Sequence, residues 1–103
     1  MFARVTLLEI DTLRVSVDDA LQLFEQGVMP GLHDQPGYLG VYGMSTSDGK
    51  ALLMSFWETA EQSATGENPW YTGMLEEYLT VFSSPPGRES YEVRIAEPPL
   101  EPD

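Results

Sequence analysis

Ala51-Leu52-Leu53-Met54-Ser55-Phe56-Trp57-Glu58 is the stretch that decides how this chain folds. Eight residues, mostly apolar and closed by two aromatics, suit a strand better than a helix. Alternation then places Leu53, Ser55 and Trp57 on one face and Leu52, Met54 and Phe56 on the other. Both faces are apolar, so this strand belongs inside a sheet. Helices can cover only one face of it, and each Å² of apolar area left wet on the other forfeits roughly 25 cal/mol. Leu52, Met54 and Phe56 are therefore expected to meet a second copy of the chain, with Leu53, Ser55 and Trp57 turned toward the helices.

The neighbouring sequence supplies the rest of the sheet. Ser47-Asp48-Gly49-Lys50 is a turn whose Asp-Gly pair tolerates positive φ, and it joins the strand to Tyr38–Ser45 in a hairpin. Gly40 and Gly43 mark bulges or close backbone approach. Phe2–Ile10, rich in Val, Leu and Ile, is a first strand. Ser16-Val17-Asp18-Asp19 opens a helix whose stripe Val17, Ala20, Leu21, Phe24, Val28 and Leu32 is core. Gly27, Pro30 and Gly31 predict a kink, or an end near Gln26. Thr59-Ala60-Glu61-Gln62 is a capping box closed by Gly66, and Asn68-Pro69 starts a longer helix with Tyr71, Met74, Leu75, Tyr78, Leu79 and Phe82 along one side. Glu89–Ala96 reads as an edge strand with Tyr91, Val93 and Ile95 inward and Glu92 and Arg94 outward.

The order is βαββαβ, an α+β fold of ferredoxin-like type with a four-stranded antiparallel sheet, strands one and three at its centre. One domain spans residues 1–96, and 97–103 is an acidic, proline-rich tail. At 103 residues there is room for one core only.

Seventeen Asp and Glu against five Lys and Arg give a net charge of -12, without a basic cluster. Nucleic acid and anionic membrane surfaces both require cationic contacts, so neither is an expected partner. The absence of cysteine excludes thiol nucleophiles, thiolate metal sites and disulfides. No secretory leader is recognisable, and a cytoplasmic location is expected. Neither a set of metal-ligand spacings nor a phosphate-binding glycine loop is present, and no metal or cofactor is implied.

Pro36-Gly37-Tyr38, the Asp48-Gly49 hairpin and Phe56-Trp57-Glu58-Thr59-Ala60-Glu61 together resemble the antibiotic biosynthesis monooxygenase-like (ABM) domains of the dimeric α/β-barrel superfamily. The resemblance runs from Phe2 to Ile95. It implies a homodimer, with a ligand cleft between sheet and helices in each subunit. Members include cofactor-independent monooxygenases of aromatic or polyketide-like rings and haem-degrading enzymes, and fold alone does not choose among them. The resemblance gives Trp57 a place lining the cleft, where the indole offers a flat wall and one N–H donor. Oxygenase members carry an asparagine four residues before this tryptophan and a tyrosine six after it; here Leu53 and Ser63 stand there, and neither can orient a substrate or manage its proton in that way. Haem degradation needs a histidine on the second helix, and the sole histidine, His33, precedes it.

Read as residues, the candidates are Trp57 and His33 for catalysis and Leu53, Ser55, Trp57, Trp70, Tyr71, Met74 and Tyr78 for an apolar or aromatic ligand. Trp57 serves packing as readily as function. Histidine is the one residue type with an unperturbed pKa near neutrality, which makes His33 the one ready general base, yet in an exposed-looking turn beside Asp34 it reads more readily as a surface residue. Arg4 and Arg94 could each hold an anionic oxygen or pair with Glu9, Glu92 or a helix acid. Three activities stay open: cofactor-independent oxygenation of a small ring, binding of an apolar ligand without turnover in a dimeric stress-related module, and an isomerase-type proton transfer through His33.

Overall fold

The computed structural model describes residues 1–64 and 87–97. The expected long helix from Asn68 to Phe82, and the tail beyond Glu97, lie outside the described residues.

Strand β1 runs Phe2–Glu9, β2 Tyr38–Ser45, β3 Lys50–Trp57 and β4 Gly87–Glu92. They pair in the order β2-β3-β1-β4, all antiparallel, with β3 and β1 at the centre as the double-faced pattern of β3 requires. Register places Arg4 opposite Ser55, Thr6 opposite Leu53 and Leu8 opposite Ala51 on one face. The other face brings Val5 opposite Met54 and Leu7 opposite Leu52. The β2–β3 hairpin closes at Gly49, whose φ of 100° is the left-handed conformation its Asp-Gly turn anticipates. At the far end of β2 the pairing slips between Tyr38 and Gly40, a bulge at one of the two expected glycines.

After a loop from β1, three helical pieces run on from one another without a break: α1 (Val17–Leu23), a π-turn (Phe24–Val28) and α2 (Met29–His33). Ser16 caps α1 by accepting the Asp19 amide at 3.1 Å. The expected end near Gln26 does not occur. Pro30 has no amide to give the carbonyl four residues back, and the helix absorbs this by widening: Met29 N–H reaches Phe24 O, five residues away. The widened turn carries the chain on to His33. Short α3 (Ala60–Ser63) has its capping box fully formed, with Thr59 and Gln62 bonding each other's backbone at 3.2 and 3.1 Å.

Two clusters make the described core. Leu8, Ile10 and Ala51 pack with Val15, Val17, Ala20 and Leu53, and Val28, Leu32 and Trp57 pack with Phe24 and Tyr38. Both lie on the helix side of the sheet. The opposite side keeps Leu7, Tyr42, Met44 and Tyr91 about half exposed.

Strand four departs from its expected reading. It ends at Glu92, although Val93 N–H still bonds Met1 O at 3.0 Å. Tyr91 lies opposite Ala3 and belongs to the open face, and Ile95 is 93% exposed. The alternation itself is right, but with two apolar faces it cannot say which one the helices cover.

Candidate functional site

Beneath the helices, the middle of the sheet is polar. Arg4, Thr6, Ser55 and Ser63 are all buried there, and Trp57 is 2% exposed. A charged side chain survives burial only when its donors are engaged. Arg4 Nε donates to Ser63 O at 3.0 Å and Nη2 to Gln62 O at 3.3 Å, so the guanidinium closes the carbonyl end of α3. Its central carbon lies 4.9 Å from the centroid of the Trp57 ring, within cation–π range. Arg4 is thus part of the interior.

Trp57 is held on every described side. Its Nε1 donates to Ser55 Oγ at 2.9 Å, Val28 and Leu32 pack against it, and Tyr38 meets it edge-on with centroids 5.5 Å apart. Beyond Tyr38, 5.6 Å from its ring, lies exposed His33. Burial pushes the Tyr38 phenol above its ordinary value of 10.0. Among the described residues no buried polar side-chain atom is left without a hydrogen-bond partner.

The expected site residues separate accordingly. Ser55 and Trp57 meet directly. Leu53 belongs instead to the cluster of Leu8, Ile10 and Ala51, further along the strand. His33 is connected to Trp57 only through Tyr38. Trp70, Tyr71, Met74 and Tyr78 lie outside the described residues. Leu52, Met54 and Phe56 are half-buried on the open face, where Met54 and Phe56, with Met1, Tyr42, Tyr91 and residues 92–97, line an apolar trough of about 660 Å³.

Solved structures with a similar fold include the Streptomyces coelicolor monooxygenase from the gene ActVA-Orf6, in complex with nanaomycin D. It aligns over 96% of this chain and 92% of its own, with a TM-score of 0.73 and 20% identity. A protein named provisionally as an antibiotic biosynthesis monooxygenase, from Deinococcus radiodurans, aligns over 98% and 100% with a TM-score of 0.73 and 14% identity. This is the fold of the antibiotic biosynthesis monooxygenase-like domains. A variant of MhuD with two manganese protoporphyrin IX groups per active site shares it at a TM-score of 0.63 and 13% identity, over 96% of this chain and all of the other. No protein-family model matches the chain, and no curated protein sequence matches it.

Within this ABM fold, the residues at the two positions that the resemblance singled out are occupied with structural tasks. Leu53 packs against Gly43, where a Cβ would come within 3.2 Å of its Cδ2. Ser63 Oγ donates to Ala60 O at 2.8 Å and hydrogen-bonds Ser90 Oγ on β4. Of the two neighbours that frame Trp57, Tyr38 has no functional part in the sequence analysis, and Arg4 has one only as a holder of an anionic oxygen. The signal for Tyr38 was Pro36-Gly37-Tyr38 itself. That for Arg4 was its even position in β1, which β-pairing turns toward Ser55. Among the described residues no group of three His, Asp or Glu side chains gathers as for a metal ion, and no helix is long and apolar enough to cross a membrane.

Proposed function

We propose that this chain is a homodimeric ABM-fold protein that takes a small aromatic or polyketide-like ring on the helix side of its sheet and oxygenates it without a cofactor. The observation that supports the reading is the near full-length likeness to a monooxygenase seen with nanaomycin D bound. In such a reaction the substrate supplies every electron: a phenol-activated CH₂ and O₂ become a carbonyl and water, one oxygen atom going to each. Trp57, immobilised by Ser55, Arg4 and Tyr38, forms the rigid wall of the site, with its packing fixed before the ring arrives. The second copy covers the open face, whose exposed apolar side chains and trough are the surface a subunit interface removes from water.

A second reading, ring binding without turnover, is favoured by Leu53 and Ser63, which provide neither an amide nor a phenol to manage a substrate proton. Incubation with a reduced phenolic ring under ¹⁸O₂ distinguishes the two. The oxygenase reading expects enzyme-dependent quinone carrying one labelled oxygen. Quenching of tryptophan fluorescence by the ring, with no product above the protein-free control, replaces it with the binding reading.

A further inference from the structure

We propose that Trp57 and Tyr38 form an oxidation relay, passing a one-electron hole from the buried indole to the surface end of the cluster. The rings meet edge-on with centroids 5.5 Å apart, and Tyr38 leads on to exposed His33. The surroundings of Trp57 give the transfer its direction. An indole that loses an electron becomes a cation, and here it would do so with a guanidinium over its ring and almost no water to solvate it. The attraction that holds Arg4 on the neutral ring turns into repulsion. Nor can the indole easily shed its proton, because the Nε1 acceptor is a serine hydroxyl, a very weak base. Tyr38 has a different outlet: it is only half-buried and can release its phenolic proton to water as it gives up an electron, ending as an uncharged radical. Moving the hole outward therefore removes a positive charge from the interior.

The relay rests on the proposed oxygenase reading for its use, though not for its existence. Homolysis of the O–O bond of an organic hydroperoxide, an expected hazard where a ring reacts with O₂, gives an alkoxyl radical beside the site wall and a hydroxyl radical, which leaves as water after taking a hydrogen atom from a diffusing thiol. The alkoxyl radical takes an electron from Trp57 and a proton from water and becomes an alcohol. Trp57 regains its electron from Tyr38, whose proton goes to water. The net change is one hydrogen atom moved from Tyr38 to the alkoxyl radical, and a diffusing thiol restores the tyrosine by hydrogen-atom donation.

Laser photoionisation tests the relay without substrate, because light ejects the indole electron wherever the ring lies. In a Trp70→Phe background Trp57 is the only indole, since the chain has two tryptophans. The indole radical signal should decay as the tyrosyl signal grows, at a common rate independent of protein concentration. Tyr38→Phe, which keeps the ring contact, should slow that decay several-fold, and Tyr42→Phe, on the opposite face, should leave it unchanged. The chain retaining both tryptophans should lose its fast phase on Tyr38→Phe. An unaltered decay in Tyr38→Phe, or equal slowing by Tyr42→Phe, overturns the relay. A working relay in a protein that forms no labelled quinone overturns only the oxygenase reading.

Discussion

The two faces of the sheet reverse the usual arrangement. Under the helices lie a buried arginine, a threonine and serines around one tryptophan; toward the open side lie Val5, Leu7, Tyr42, Met44, Met54, Phe56 and Tyr91. Polar groups are tolerated on the covered side because they are satisfied locally, Arg4 by the end of α3 and Trp57 by Ser55. On the open side Met54 and Phe56 help line an apolar trough. In the function proposed above the two faces have separate tasks, the covered face to hold the ring and the open face to join a copy of the chain.

The largest expected effect comes from the open face. Met54→Glu with Phe56→Asp should turn a dimer into a monomer, halving the mass in sedimentation equilibrium, while far-UV circular dichroism is retained. An unchanged mass would break the contrast between the faces. Next is Arg4→Met on the covered side, which removes two donors from buried carbonyls and should cost about 2–4 kcal/mol in urea unfolding. The same change at exposed Arg94 should stay within about 0.5 kcal/mol. Equal losses at both would mean that burial of Arg4 is not what stabilises the site. Ser55→Ala strands the Trp57 N–H and should cost about 1–2 kcal/mol, measured in the Trp70→Phe background with a shift in indole emission.

The smallest effect is alkaline. Burial raises the Tyr38 phenol in the folded state, so between the unfolded and folded pKa values the unfolded chain binds fewer protons. Its contribution to stability is full below the unfolded pKa, near 10, and is lost as pH rises through the folded one. Tyr38→Phe should lack that part of the alkaline decline in the urea midpoint; an identical decline would place the titration elsewhere.

Features with local causes were legible in the sequence. The double-faced β3, the Asp48-Gly49 turn, the capping box at Thr59 and the Gly40 bulge each follow from a few neighbouring residues, and the structure contains each of them. What escaped depended on pairing across the chain. The place of Arg4 beneath the end of α3 depends on how β1 and α3 pack, which no stretch of Phe2–Ile10 announces. Tyr38 gained its place from the β2–β3 register around the bulge. Trp57 was picked out by its position, but its link to His33 runs through Tyr38, which no periodicity could reveal. The faces of β4 were misassigned because an apolar stripe looks the same whether or not helices cover it.

The π-turn at Phe24–Val28 also bears on how this helix can change length over evolution. A hydrogen bond reaching five residues back, where an α-turn reaches four, holds one residue more than its rise needs. Exposed Gly27 is suited to be that surplus residue. Its deletion would draw Val28 and Leu32 one place closer to Phe24, leaving spacings of three and then four that still form a single stripe. The helix can therefore lose a residue at this point while both leucine and valine keep their contact with Trp57, so a chain with a helix one residue shorter can keep the same packing.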